Sequence, residues 1–356
     1  MAKIIAFNRG VPPAESFPTQ ELIVSARNVL EKESGSILQY GGALGYQPLR
    51  EWIAGNFNTK ADQVIVGQGS LQLLDTFIKT SLNQGDHVFI EQPIYDRVLT
   101  LFKRGGAELV GFSLHDGTMD LNEIESTLKG GIVPKAFYVI PDFQNPSGAE
   151  MPLATRQGLV DLAKAYNFVL IEDGAYRHLR YQGENLPRLI DLAPDYVLHM
   201  SSFSKVISPG IRVGYMVGHV DLISRISSYA ENTYINSSYL NQAMISDFIQ
   251  RGLMDSHIEY LNHLYLPKWQ QILASLDRYM GGRGSWIEPK GGFFTGVYLE
   301  KGKPMPDEQT LKANGLMLMG GRGFFIDGGE NFIRLPFAAP SIEEIDEGIK
   351  ILSHLI

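Results

Sequence analysis

Cysteine is absent from the 356 residues. Without it there is no disulfide framework, no Cys-ligated zinc or iron–sulfur centre and no thiol nucleophile, and the composition fits a reducing cytoplasm. Positive charge is in deficit. The 31 Lys and Arg face 39 Asp and Glu, giving a net charge of −8, and no basic run forms a phosphate-tracking stripe, so nucleic acid is not an expected partner. No segment approaches the roughly 18 uninterrupted apolar residues of a membrane span, and residues 1–10 lack the apolar core of a signal peptide. HExxH, GxSxG and GxxxxGK-Ser/Thr are all missing, which removes the zincin, nucleophile-elbow and P-loop readings. The eight histidines are scattered, and His257 with His263 lacks metal-ligand spacing.

What is present is the composition of an ordinary globular protein, 44% hydrophobic and 20% charged, at a length that suggests about two domains. Pro48 sits where a first helical turn begins, and Leu49, Trp52, Ile53 and Phe57 follow at helical spacing. Val64–Val66 reads as a buried strand, Leu71, Leu74, Ile78 and Leu82 as the next helical stripe, and His87–Glu91 as a second strand before a helix at Tyr95–Arg104. Apolar runs at Phe137–Ile140 and Phe168–Ile171 flank a helix near Leu153–Ala165, and Val197–Met200 and Val213–Val217 are further strands. Short β-branched runs separated by helices predict an α/β fold with a mainly parallel sheet between helices, plus a smaller α/β domain. After residue 256 come a long helix reaching Tyr279, a strand at Phe293–Leu299 and a closing helix at Ser341–Leu355, where Ser341 and Glu344 form a capping box. The expected division is a large domain at 41–255 and a smaller one built from 1–40 and 256–356.

Two segments carry chemistry. Gly67-Gln68-Gly69-Ser70-Leu71-Gln72 follows a strand and opens a helix, but Gln72 stands where a dinucleotide fingerprint needs its third glycine. The free N–H groups at Gly69, Ser70 and Leu71 suit a single phosphate better than a nicotinamide dinucleotide. The second segment runs from Ser201 to Gly214 between two strands and holds Ser202, Ser204, Lys205 and Arg212. An amine nucleophile needs a lowered pKa, which burial and nearby cations supply, while the two hydroxyls and the guanidinium can hold a phosphate.

The second segment resembles the Schiff-base lysine segment of class I/II aminotransferases, which depend on pyridoxal 5′-phosphate (PLP) and share fold type I. The nearest likeness is to the subgroup with 2-aminoadipate and kynurenine aminotransferases and the aminotransferase-like domains of some transcription regulators. Other markers lie in order: Tyr40 to Tyr46, Gln92 to Tyr95, Pro141 to Gly148, Glu172 to Tyr176, Pro289 to Phe294 and Asn331 to Phe337. The resemblance implies that Lys205 carries the cofactor, Asp173 pairs with the pyridine nitrogen, and Asn145 and Tyr176 bond the ring oxygen. It implies that Tyr95 stacks on the ring, and that Gly69, Ser70, Leu71, Ser202, Ser204 and Arg212 hold the phosphate. Tyr40 is implied to reach the phosphate of a partner subunit, making the active site a property of a homodimer. Arg334, with Asn145 and Gly10, is implied to bind the substrate, its planar fork suiting a carboxylate.

The implied activity moves an amino group between an L-amino acid and a 2-oxo acid. A PLP-dependent lyase, an oxidative deaminase or a non-catalytic PLP sensor are alternatives on the same scaffold. The sequence departs from the family at Asn8-Arg9, where relatives often carry small residues, and the role of Arg9 stays open. No helix-turn-helix region is read ahead of this segment, so the regulator form is not expected.

Overall fold

The computed structural model describes residues 4–115, 117–300 and 302–356; residues 1–3, assigned above to the smaller domain, lie outside the described residues. The chain opens with strand β1 (Ile5–Phe7) and helices α1 (Thr19–Ile37) and α2 (Gln47–Asn56), the last with Pro48 in its first turn. Next come β2 (Val64–Gly67), α3 (Ser70–Ser81), β3 (His87–Gln92), α4 (Asp96–Arg104), β4 (Glu108–Ser113), α5 (Leu121–Lys129), β5 (Ala136–Val139), α6 (Leu153–Tyr166) and β6 (Val169–Asp173). They are followed by α7 (Leu189–Leu192), β7 (Val197–Ser202), β8 (Gly214–Val217), α8 (Val220–Glu231), α9 (Tyr239–Gln250) and the 28-residue α10 (Leu253–Met280). The remainder is β9 (Gly284–Trp286), β10 (Phe294–Leu299), α11 (Glu308–Ala313), β11 (Leu316–Gly320), β12 (Phe332–Pro336) and α12 (Ile342–Leu355).

Among the described residues the strands form two sheets. The larger runs β2-β8-β7-β6-β5-β3-β4, and only β8 is antiparallel to its neighbours. Its strands read as continuous apolar runs because helices cover both faces. In β5, Ala136 and Tyr138 face a core built with α3, α4 and α8, whereas Phe137 and Val139 face one built with α2, α6 and α9. Strands β2, β3, β5, β6 and β7 all end at one edge of this sheet, the edge where open α/β sheets place ligands. The smaller sheet, β1-β11-β12-β10-β9, packs against α12 and the second half of α10. The capping box is present: Ser341 Oγ accepts from Glu344 N–H and the Glu344 carboxylate accepts from Ser341 N–H.

One placement differs from the expected boundaries. Helix α1 packs on α9 and contributes Val29 and Ile37 to the core of the large sheet, although residues 1–40 were assigned to the smaller domain. Its apolar positions match α9, and only β1 before it joins the smaller sheet, through β11. Helix α10 also spans the expected boundary. Met254, Leu261 and Tyr265 belong to the large core, and beyond Pro267 the residues Ile272, Leu276 and Met280 belong to the small one.

The loop after β5 is anchored by charge. Arg156 is fully buried and donates through Nη2 to Asp142 Oδ1 at 2.6 Å, through Nε to Met151 O and through Nη1 to Pro187 O. Arg177 adds a bond to Asp142 Oδ2 at 2.9 Å. Burial pushes the Asp142 carboxyl up, and the two guanidiniums outweigh it and hold the acid below its usual range. Removing one partner of a buried pair strands the other charge. Asp142→Ala is therefore expected to cost about 3–5 kcal/mol, read from the urea midpoint; an unchanged midpoint would show the pair to be dispensable.

Candidate active site

The site is built where loops leave that common edge. A cavity of about 150 Å³ there is bounded by Gly69–Leu71, Tyr95, Asn145, Asp173, Tyr176, Ser202, Ser204, Lys205 and Arg212. Beside it a larger cavity of about 590 Å³ is lined by Asn8–Val11, Arg97, Phe294, Met317–Met319 and Arg334. Tyr95, Asn145, Tyr176 and Lys205 line both, so they stand at the junction. Of the predicted residues, Tyr40 alone lies apart: it is 76% exposed beyond the end of α1.

Lys205 Nζ donates to Gly10 O at 3.0 Å and lies 5.6 Å from the Tyr176 ring centre. Burial lowers its pKa to about 8, helped by the positive charge of Arg334 and opposed by Asp173. Gly10 is fixed by packing, because a Cβ there would stand 2.1 Å from the Phe294 ring. Asp173, at the end of β6, accepts from Tyr138 Oη–H at 2.7 Å and from Ala175 N–H at 3.1 Å. Burial raises its pKa, and those two donors, with His199 and Lys205, offset part of the rise. Tyr176 hydrogen-bonds Asn145, and burial drives its hydroxyl well above the ordinary phenol range.

The other end of the small cavity is a cradle of donors. Gly69 caps α3 at φ 91°, and Gly214 opens β8 so closely that a Cβ would meet Ser70 N at 2.4 Å. The hydroxyls of Ser202 and Ser204 are 2.8 Å apart. Arg212 takes a left-handed backbone, φ 51°, and its guanidinium lies over Gly69 while Nη2 donates to Gln68 O at 2.7 Å. That backbone is sparsely populated for residues with a Cβ, and such outliers gather at ligand sites.

Arg334, on β12, enters the large cavity from the smaller sheet. It is 5% exposed and sits between the rings of Phe294 and Phe324, each 4.9 Å away. Nη1 donates to Asn145 Oδ1 at 3.1 Å and Nη2 to Asn8 O at 3.2 Å, while Nε is buried with no partner. Among the described residues no carboxylate pairs with it. A buried guanidinium with an unused donor calls for an anion.

Sequence reasoning missed Tyr138, Gln144 and Glu91. Tyr138 reads as core inside Ala-Phe-Tyr-Val, yet it pairs with Ile171 across β5 and β6, which puts its hydroxyl on the face that Asp173 shares. That register is the signal that could have found it.

The family model of aminotransferase class I and II matches residues 2–352. The chain belongs to the class I and II aminotransferases. It is similar to 2-aminoadipate transaminase of Thermus thermophilus at 32% identity, covering 99% of this chain and 90% of that one. Aromatic-amino-acid aminotransferase 1 of Thermococcus litoralis is 31% identical over 99% and 88% of the two chains. Among solved structures, an α-aminoadipate aminotransferase of T. thermophilus complexed with N-(5′-phosphopyridoxyl)-L-leucine superposes with a TM-score of 0.93 at 31% identity, covering 99% and 91%. The protein is a fold type I, PLP-dependent aminotransferase.

The cavity fits that cofactor by the chemistry of its walls. An amine with a lowered pKa, a buried carboxylate, a paired Tyr176 and Asn145, and a cluster of anion donors match its aldehyde, ring nitrogen, ring oxygen and phosphate. The cradle gives a direct test. Gly69→Ala forces a Cβ to 2.5 Å from Arg212 Nη2 at a positive φ. It is expected to weaken PLP binding to the apoenzyme by about 5- to 150-fold in equilibrium dialysis, from a strain of ~1–3 kcal/mol. Unchanged affinity would remove the cradle from phosphate binding.

Proposed function

We propose that Lys205 is the amine that takes the cofactor's aldehyde carbon and that afterwards moves the proton at the substrate's Cα. Asp173 holds the ring nitrogen protonated, Tyr176 and Asn145 bond the ring oxygen, and Tyr95 stacks on the ring. Gly69, Ser70, Leu71, Ser202, Ser204 and Arg212 hold the phosphate. Arg334 binds the α-carboxylate of an L-amino acid or 2-oxo acid, and Gly10 and Asn145 complete that side. When bound, the cofactor supplies an electron sink for the pair left at Cα as the proton departs.

The observation that carries this reading is the lowered pKa of Lys205 at the junction of the two cavities. A general base works best with a pKa near the operating pH. An amine whose pKa is about 8 is far more often neutral at physiological pH than one at 10.5. Arg334 lies on the same side, so a carboxylate held there brings its Cα towards that amine.

Three further elements belong to the proposal. The smaller domain comprises β1 and the chain from the second half of α10 onward, with α1 assigned to the larger; the separate cores support this. The enzyme is a homodimer in which Tyr40 serves the partner's cofactor phosphate. Leu38 and Tyr40, 65% and 76% exposed at the end of α1, support an interface there. Its location is cytoplasmic, in keeping with the cysteine-free composition. Among the described residues no helix is long and apolar enough to cross a membrane.

Competitive acylation of the apoenzyme tests the amine. Lys205 is expected to become reactive with a midpoint near pH 8, because the neutral amine accumulates above its pKa, whereas exposed lysines follow at about 10.4. Lys205→Ala is expected to lose both borohydride-trapped cofactor and transamination. A midpoint near that of exposed lysines, or turnover in the variant, would reject the assignment.

Sedimentation and a conservative variant test the dimer. The chain is expected to sediment at twice its own mass, with Tyr40→Phe binding PLP more weakly at unchanged mass. A monomer with full cofactor affinity would refute the shared site.

A further inference from the structure

Glu91 is the penultimate residue of β3 and is 1% exposed. Its Oε1 accepts from Ile140 N–H at 2.9 Å and from Gln144 Nε2–H at 3.1 Å, whereas Oε2 is buried with no hydrogen-bond partner. Glu91 shares the sheet face of Phe89, with Phe112 opposite it on β4, whereas Asp173 of β6 and Tyr138 of β5 project from the other face and act on it through charge. Among the described residues no cation pairs with Glu91. An ionised carboxylate there would leave one oxygen unsolvated and repel Asp173.

Gln144 is the link to the site. Its Nε2 donates to Glu91 and to Pro93 O, and its Oε1 accepts from Ser147 N–H at 2.8 Å and from Ser147 Oγ–H at 2.6 Å. Those bonds span the loop that carries Asn145, which touches both Arg334 and Tyr176. Resting on the reading of Asn145 given above, we propose that Glu91 is a positioning residue that works uncharged: through Gln144 it fixes Asn145 against the cofactor, and it keeps a second negative charge away from Asp173. Burial, the leading influence, pushes the Glu91 carboxyl up to about 8, the direction this role requires. Burial raises both acids, but their hydrogen-bond donors differ, and acids in different surroundings can take different tasks.

The test compares Glu91→Gln, Glu91→Leu, Gln144→Ala and Asn145→Ala. For each, PLP affinity of the apoenzyme is measured, and so is the pH midpoint of the bound cofactor's visible absorption, which a change in stability alone does not move. Glu91→Gln is neutral and keeps an acceptor, so affinity within about twofold of the parent and an unshifted midpoint are expected. Glu91→Leu and Gln144→Ala are each expected to weaken binding about tenfold and shift the midpoint, and the double variant to be no worse than either. Damage from Glu91→Gln equal to that from Glu91→Leu would overturn the neutral role. Parental affinity and midpoint in Gln144→Ala would overturn the relay. If Glu91→Leu does not fold, Glu91→Gln and Gln144→Ala decide alone. Asn145→Ala separates the levels: if it is harmless, the reading of the loop fails and the inference with it, whereas if it is damaging and Gln144→Ala is not, only the inference fails.

Discussion

A buried amine that is not locked into an ion pair is the constraint on which the rest of the site depends. Lys205 donates to one backbone carbonyl, and among the described residues no carboxylate comes within salt-bridge distance of its Nζ. A carboxylate at contact distance would hold the ammonium charged and idle. Burial and the charge of Arg334 push the other way, and Asp173 acts from across the cavity without touching the amine. The surrounding packing preserves this separation. The close fit of Gly10 to the Phe294 ring sets the carbonyl that Nζ meets, and the Ser202–Gly214 turn brings the cradle to the lysine's side.

The loop after β5 is one of the segments that tie the two sheets together. Gly296 N–H of β10 donates to Ser147 O at 2.8 Å, and Gly148, at φ 81°, lies so close that a Cβ would stand 2.3 Å from Phe294 O. In register with Gly296 across β10 and β12 is Arg334. Arg334 and the loop that carries Asn145 therefore share one stretch of β10. Asp142 with Arg156 and Arg177 anchors that loop on the large-sheet side. A shift of the smaller sheet would move Arg334 and load the Asn145 contact together, so under the proposed roles substrate capture and cofactor geometry would be coupled.

What the sequence revealed follows from which signals are local. Buried parallel strands announce themselves as β-branched runs, and β2, β5 and β6 lie within a residue or two of their expected places. The Ser341 capping box is four residues long and equally legible. Lys205, Asn145 and Asp173 stand out because short motifs surround them, and the structure brings them to one cavity. The placement of α1 was not legible, since its stripe fits either core and only the tertiary contact with α9 decides. Tyr138, Gln144 and Glu91 escaped for a related reason. Each sits in an apolar or turn-like setting that explains it without chemistry, and each acquires its role from a partner 35 to 53 positions away.

Burial alone cannot specify this chemistry, because it discharges every titratable group alike. It pushes Lys205 down and Asp173 and Glu91 up. The lowered amine is useful, but a neutral Asp173 could not keep a ring nitrogen protonated. The structure separates the three groups by donor count. Asp173 has one donor on each oxygen, Tyr138 and the Ala175 amide, and so retains support for its charge. Glu91 has both donors on a single oxygen and none on the other, an arrangement that suits a protonated acid. Lys205 meets only an acceptor carbonyl, which a neutral amine can satisfy as donor. In one dry environment the three groups thus differ in their hydrogen-bond partners more than in their depth of burial, and it is those partners that can support different charge states.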